Sequence, residues 1–121
     1  MVDEHTLEYF LLRYVPDLVR NEVSDVAVIL LDPKHLDTGF CRLRCVSNWQ
    51  SRVLAVDPDA DIAVLSALLR EIEERLSNLT SRGEMLQLLE SSFSNALCIS
   101  QRYPYSSGNP DRDLGQLAFH F

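Results

Sequence analysis

The sequence of 121 residues contains no apolar run near the length needed to cross a bilayer, and acids occupy its first residues where a secretory signal needs basic ones. We therefore expect a cytoplasmic protein without a membrane segment. Cysteine is scarce: Cys41, Cys45 and Cys98 are an odd number without a CxxC pair. This pattern indicates neither a disulfide framework nor a zinc site, and we interpret all three as reduced, buried side chains.

Glycine and catalytic motifs are scarce as well. The chain has four glycines and no P-loop, GxGxxG or GxSxG pattern. A glycine-rich loop that binds phosphate through its backbone amides is therefore not indicated. His5, His35 and His120 lie far apart, and none is spaced to share a metal with another histidine or a cysteine. We therefore expect no metal, no cofactor and no catalytic residues, although an enzyme is not excluded.

Positive charge is the third shortage. Eleven basic residues stand against 18 acidic ones, giving a net charge of -7, which repels a phosphate backbone and makes nucleic-acid binding unfavourable. An acidic surface suits solubility or a basic protein partner. The hydrophobic fraction of 46% and the charged fraction of 24% are those of ordinary globular proteins. Length and composition predict a single domain spanning residues 1–121.

Three strands are predicted in the first half of the chain. Residues 9–15 combine aromatic, aliphatic and β-branched side chains, and the strand should end at Pro16, which lacks a backbone donor. Residues 26–31 are apolar on both faces, as expected for a central strand covered on both sides. Residues 40–46 present cysteines and a leucine on one face and two arginines on the other.

Helices are predicted after residue 56, whereas residues 47–56 could form a short helix or simply cap the sheet. Asp57 followed by Pro58 is typical of a helix start, and leucines and isoleucines at helical spacing continue to about residue 79. Opposite them lies a charged face that we expect to be solvated and held by short-range ion pairs. A shorter helix should cover residues 84–93, with Met85 in the core.

The last third of the chain predicts one more strand and one more helix. The strand lies in residues 96–103, a mobile loop follows in residues 105–111, and Asn109 with Pro110 begins the terminal helix. The order β-β-β-α-α-β-α predicts an α+β fold with a mainly antiparallel sheet of three to four strands and helices packed chiefly on one face. The other face must be covered by residues 47–56, by the terminal helix or by another chain. A homo-oligomer is therefore one of the alternatives.

Polar side chains are concentrated around the first hairpin and on the third strand. In the hairpin, an arginine could clamp a phosphate or carboxylate while Glu22 or Asp25 acts as a base. The alternative is an ion-paired connection whose acids bond the turn's own amides. On the third strand, the two arginines form either a solvated, ion-paired face or a docking spot for an acidic group. The candidate interaction or anion-binding residues are Arg13, Tyr14, Asp17, Arg20, Glu22, Asp25, Arg42 and Arg44.

One motif is familiar. A strand ending in Arg-Tyr-Val-Pro, then Asp, Arg and Glu, then a Val-rich strand closing in Leu-x-Asp-Pro resembles the bacterial family catalogued as domain of unknown function 3037. The likeness extends through residues 99–117, ISQRYPYSSGNPDRDLGQL. Where the family usually has Asn-Val-Gly, this chain has Asp25, Val26 and Ala27, so it departs from the family at Asp25 and Ala27. The residues that carry the motif are Arg13, Tyr14, Val15, Pro16, Asp17, Arg20, Glu22, Val26, Val28, Leu30, Asp32 and Pro33.

This resemblance implies a domain from bacteria or their phages with no established reaction. It also implies genes that often neighbour those of HipA-like kinases, and therefore a role as kinase partner or regulator in a toxin-antitoxin or defence system. Our first hypothesis is a non-catalytic interaction or regulatory domain, an accessory or inhibitor of such a kinase.

Two other hypotheses stay open. One is a small enzyme that acts on a phosphorylated or nucleotide substrate, with Arg13 and Arg20 binding the anion and Glu22 or Asp25 as acid-base residue. The other is nucleic-acid mimicry, in which carboxylates spaced along the helix predicted over residues 57–79 present a phosphate-like array.

Overall fold

A computed structural model describes residues 5–17, 22–36, 38–91 and 97–121. Within these ranges, five strands form one antiparallel sheet accompanied by four helices in the order β-β-β-α-α-α-β-β-α, which confirms the predicted α+β class. The strands are β1 (His5–Asp17), β2 (Glu22–Leu31), β3 (Cys41–Cys45), β4 (Leu97–Ile99) and β5 (Tyr103–Ser107). The helices are α1 (Trp49–Val56), α2 (Ile62–Ser77), α3 (Arg82–Glu90) and α4 (Pro110–His120).

β1 is the strand that joins the two halves of the sheet. The order along the sheet is β3-β2-β1-β4, and β5 pairs with β1 on the same edge as β4, further towards the β1 N-terminus. Between β4 and β5, Ser100 continues the ladder: its amide donates to the Leu11 carbonyl at 2.9 Å, and its hydroxyl accepts from the Leu11 amide at 2.8 Å. The outer edge of β1 is therefore covered along most of its length.

β2 is the buried strand that the sequence predicted. Each side chain from residue 26 to residue 31 is at most 1% exposed, on both faces of the sheet. On one face, Arg102 lies over the Phe10 ring and its Nη2 is 2.5 Å from Glu90 Oε1 of α3. On the other, Phe121 at the end of α4 lies 5.9 Å from the Tyr9 ring. The terminal helix thus covers the second face, which was one of the open alternatives.

The first hairpin is longer than predicted. β1 begins at His5 and runs through Pro16 to Asp17, so the prediction that the strand ends at Pro16 is wrong. The register between β1 and β2 shifts between Tyr14 and Asp17, and proline is tolerated at such an irregularity because no regular ladder bond is required there. β2 likewise begins at Glu22 rather than at residue 26.

The predicted helix start at Asp57 is wrong by four residues. Asp57 follows the last residue of α1, a helix that now accounts for residues left open in the sequence, and its Oδ1 accepts from the Asp59 amide at 3.1 Å. α2 begins at Ile62, and Asp61 is its N-cap, accepting from the Val64 amide at 3.1 Å. Asp57 and Pro58 therefore belong to a turn between two helices, and local composition could not distinguish that turn from a helix start.

The predicted loop over residues 105–111 is wrong in its first half. β5 pairs with β1 from His5↔Ser107 to Tyr9↔Tyr103, and it includes Pro104. Among the described strands β5 pairs with β1 alone, and an edge strand tolerates the missing proline donor. Tyr9 stacks on Tyr103 with ring centroids 5.3 Å apart, a tertiary contact that a turn-rich local sequence does not reveal.

The other local predictions are largely confirmed. α4 begins as expected, because the Asn109 side chain accepts from the Arg112 amide and Pro110 occupies the first turn. Met85 is 1% exposed in the core. The three cysteines are free, but only Cys41 is buried: Cys45 is half-buried and Cys98 is exposed, so the expectation that all are buried is wrong for these two. None of the helices in the described ranges combines the length and the apolar character that a membrane crossing requires.

Candidate functional site

A cleft of about 400 Å³ lies where the edge strand β3 meets α2 and the first turn of α1. Its apolar part includes Trp49 and Leu69, which are 5% and 2% exposed. A volume of this size is typical of sites for small molecules or for a few side chains. The residues that line the cleft are Leu43, Arg44, Cys45, Trp49, Gln50, Ser66, Leu69, Arg70 and Glu73.

The two arginines of the cleft have no partner in the described part of the chain. Neither Arg44 nor Arg70 makes a hydrogen bond or an ion pair with a described residue. By contrast Arg42, on the same strand, bonds Glu73, and Arg75, on the same helix as Arg70, bonds Glu71. Arg44 also lies close to α4, because a β-carbon at Gly115 would be 3.6 Å from its Nη1. Both side chains are exposed to solvent, so two arginines without a described protein partner line one cleft.

Glu73 fixes the geometry of the cleft. Its Oε2 accepts from the Leu43 amide at 2.7 Å, and its Oε1 accepts from Arg42 Nε at 2.9 Å. The carboxylate of α2 thus replaces a missing strand neighbour at the outer edge of β3, where an unpaired amide would otherwise face solvent. The ion-pair partner of Glu73 is Arg42, and neither Arg44 nor Arg70 bonds it.

Cys45 is the thiol in the cleft. Burial raises its pKa, and the nearby Glu73 carboxylate raises it further. The thiol is therefore protonated at neutral pH, whereas a nucleophilic cysteine requires the thiolate. This environment favours binding over covalent chemistry at the cleft.

The hairpin cluster is only partly assembled in the described residues. Arg13 Nε lies 3.0 Å from Asp25 Oδ1, so these two predicted residues do come together, as an ion pair that is about a third exposed. Arg20 lies outside the described residues, and Asp17 and Glu22 are described only as partners in strand register. The cleft between β3 and α2 is not lined by hairpin residues.

Tyr14 was predicted as part of the hairpin cluster, but its side chain bonds a residue at the end of α1 instead. Its hydroxyl donates to Asp57 Oδ2 at 2.6 Å. Burial raises the pKa of Tyr14 to about 12, and the hydrogen bond and charge of Asp57 add to the rise. The role of Tyr14 in the described structure is therefore that of a buried donor between a strand and the end of α1.

The carboxylates of α2 are partly occupied too. Glu71 pairs with Arg75 at 3.0 Å, which confirms the short-range pairing expected on this face, and Glu73 bonds β3. Within the ranges that the structure describes, no three metal-ligating side chains come together. The nucleic-acid mimicry hypothesis stays a prediction, with fewer free carboxylates to carry it.

Comparison with known protein families identifies the family of this chain. A family model described as Protein of unknown function (DUF3037) matches residues 9–121, which is nearly the whole chain. The chain belongs to the DUF3037 family. No curated protein and no solved structure matches it. The resemblance inferred from the hairpin motif is thereby confirmed, and membership in DUF3037 assigns no reaction or partner.

For this DUF3037 chain, sequence reasoning identified half of the basic pair in the cleft. Arg44 was predicted from the alternation of β3, whereas Arg70 was assigned to a solvated helix face and Trp49 to a segment of open structure. The register of β3 against α2 brings Arg44 and Arg70 to one cleft. No local signal marks Arg70, because Glu73 and Glu74 lie three and four residues after it, where helical ion pairs are expected.

Proposed function

We propose that this DUF3037 chain is a non-catalytic interaction domain that binds an acidic segment of a protein partner in the cleft between β3 and α2. The observation that carries the proposal is the presence of Arg44 and Arg70 in one cleft without a described partner. Guanidinium groups bind carboxylates in bidentate fashion and are the usual means of recognising them.

The lining of the cleft supports a ligand with both an anionic and an apolar part. Trp49 and Leu69 are buried beneath the cleft, while Gln50 and Ser66 supply polar atoms at its sides. A protein segment that carries Asp or Glu beside an apolar residue has this combination. The net charge of -7 disfavours an acidic partner at long range, so recognition depends on the local arginines rather than on the overall field.

The absence of an activated group in the cleft favours binding over catalysis. The Cys45 thiol is protonated, and Glu73 is held by the Leu43 amide and Arg42. In the hairpin, Arg13 and Asp25 neutralise each other. The alternative of a small enzyme acting on a phosphorylated or nucleotide substrate through Arg13, Arg20, Glu22 and Asp25 therefore stays a prediction with less support.

The identity of the partner is a separate and narrower proposal. The family resemblance implied a HipA-like kinase in a bacterial or phage toxin-antitoxin or defence system, with the complex in the cytoplasm. Co-expression with the kinase of a neighbouring gene, followed by size-exclusion chromatography, tests this. Co-elution that is lost on reversing Arg44 and Arg70 supports it, and two separate peaks contradict the kinase as partner.

Binding of acidic segments to the cleft can be tested even when the partner protein is not known. The full chain is used to select from a displayed library of random linear peptides of about ten residues, the upper length of an ordinary strand. We expect selected peptides to be rich in Asp and Glu. Binding of a synthesised peptide is then followed through the fluorescence of Trp49, the single tryptophan, which lies in the cleft.

A matched pair of double variants decides the outcome. Arg44→Glu with Arg70→Glu should weaken binding at least about tenfold, because each guanidinium contributes a charge-assisted bond. Arg75→Glu with Arg112→Glu changes the net charge equally but leaves the cleft lining intact, and should bind nearly as the original chain does. Equal weakening in both variants, or a library that yields no acidic binder, would remove the proposal.

A further inference from the structure

The outer edge of β3 has a short stretch of backbone that faces the cleft. The Val46 amide donates to the Val26 carbonyl at 2.9 Å, so even-numbered residues at this end of β3 bond inward to β2. Leu43, an odd-numbered residue, directs its amide outward to Glu73. Since hydrogen-bonded and non-hydrogen-bonded pairs alternate along an antiparallel ladder, the amide and carbonyl of Cys45 also face outward.

Along this stretch the outward amide of Leu43 is already hydrogen-bonded to Glu73, whereas the outward amide of Cys45 has no described acceptor. Cys45 and Leu43 both line the cleft, so the open backbone groups lie beside the two unpartnered arginines. An edge strand with unpaired donors and acceptors is a template for an added strand, and Glu73 limits the length of that template.

We propose that the partner segment binds as an extended strand added to the outer edge of β3, with backbone hydrogen bonds to Cys45 and an acidic side chain between Arg44 and Arg70. This inference rests on the proposed function, and it specifies how the acidic segment is held. The neighbouring apolar side chain of the segment covers Trp49 and Leu69. A small anion or an acidic helix would use the arginines but not the Cys45 backbone, so the two modes differ in a measurable way.

The first test alters the ligand and leaves the protein unchanged. The acidic peptide selected with the displayed library is synthesised as a series in which each backbone amide is N-methylated in turn, which removes one donor at a time. Binding is measured by Trp49 fluorescence. Cys45 offers one outward carbonyl, so we expect about a tenfold loss when the one peptide amide that donates to it is methylated, and little change at the other positions.

The second test alters the protein at a single backbone donor. Cys45→Pro removes the outward amide without removing an inward bond to β2, and Cys45→Ala is the matched control that keeps the amide. We expect about tenfold weaker binding for the proline variant and nearly unchanged binding for the alanine variant. Where the proline variant fails to fold by circular dichroism, the N-methylated series on the original chain decides alone.

The outcomes separate the two proposals. Loss of binding on reversing Arg44 and Arg70, with no effect of N-methylation and equal binding of the folded Cys45 variants, would retain the cleft as an acidic-ligand site and reject strand addition. Insensitivity to both arginines would reject the proposed function itself. Loss of binding at one N-methylated position, together with dependence on the arginines, is the result that supports both.

Discussion

Arg82 shows how a charged side chain can be part of the core. It is only 5% exposed, and its guanidinium bonds three carbonyl oxygens: Leu76 at 2.8 Å, Leu36 at 3.1 Å and Gly39 at 2.7 Å. These bonds fasten the connection between β2 and β3 to the junction of α2 and α3. Local sequence does not reveal this role, because residues 80–83 interrupt the helical periodicity and indicate only a break between two helices.

We expect Arg82→Met to lower the free energy of unfolding by about 3 kcal/mol, because the variant leaves buried carbonyls without their charged donor. Urea denaturation followed by circular dichroism measures the change. Arg75→Met is the matched control: its side chain is 44% exposed and pairs with Glu71 one helical turn away, so it should cost about 0.5 kcal/mol or less. Equal effects in the two variants would contradict the assigned role of Arg82.

Tyr14 leads to a prediction about alkaline pH. Its pKa is raised from 10.0 to about 12 in the folded chain, chiefly by burial, so folding favours the neutral phenol. The stabilisation is complete below pH 10, the value for the unfolded chain, and is lost as the pH rises through 10 towards 12. A shift of this size corresponds to roughly 2 to 3 kcal/mol.

The measurement compares the original chain with Tyr14→Phe by urea unfolding at several pH values. The phenylalanine variant should be less stable by an amount that is constant up to about pH 10 and shrinks above it. Asp57→Asn should keep part of the pH dependence, because burial is the larger cause. A difference between Tyr14→Phe and the original chain that does not change with pH would contradict the assignment.

Among the secondary-structure elements, α2 shows where a helix start is decided by geometry rather than by composition. Asp57, Asp59 and Asp61 all precede the helix, yet Asp61 alone is its N-cap. Asp57 is committed to Tyr14 through a contact 43 positions away in sequence. No local pattern contains that contact, which explains why the sequence placed the helix start too early.

We expect Asp61→Ala to destabilise the chain by about 1 kcal/mol, the usual cost of losing an N-cap acceptor. Asp59→Ala should change the stability by less than about 0.5 kcal/mol, because Asp59 is exposed and its backbone amide, which the substitution keeps, makes the bond to Asp57. Thermal or urea unfolding of the two variants separates the assignments. A larger effect at Asp59 than at Asp61 would show that the helix begins elsewhere.

The elements that sequence predicted well are those whose own pattern is sufficient. β2 is apolar at every position of residues 26–31, and the start of α4 combines an asparagine cap with proline. β5 was missed because its pairing with β1 and the stacking of Tyr9 on Tyr103 are tertiary contacts. Tertiary contacts also explain why only one of the two cleft arginines was predicted. Arg44 follows from strand alternation, but its proximity to Arg70 depends on how α2 packs.

At the scale of the whole molecule, the two cleft arginines should contribute to binding and not to stability. Arg44→Gln with Arg70→Gln is expected to change the free energy of unfolding by less than about 0.5 kcal/mol, since neither residue has a described partner. Arg42→Gln is the contrasting variant, because it removes a partly exposed bond to Glu73 and should cost up to about 1 kcal/mol. A double variant that unfolds at clearly lower urea would show that the arginines are structural.

The edge of β1 that pairs with β4 and β5 stays uncovered while the chain is being synthesised. Leu11 meets Ser100 across 89 positions, so β1 emerges from the ribosome long before the residues that cover it. At ordinary translation rates this delay is on the order of ten seconds. For that interval the nascent β1 can pair with β2 on one side only, and its other side is exposed to strands of neighbouring nascent chains.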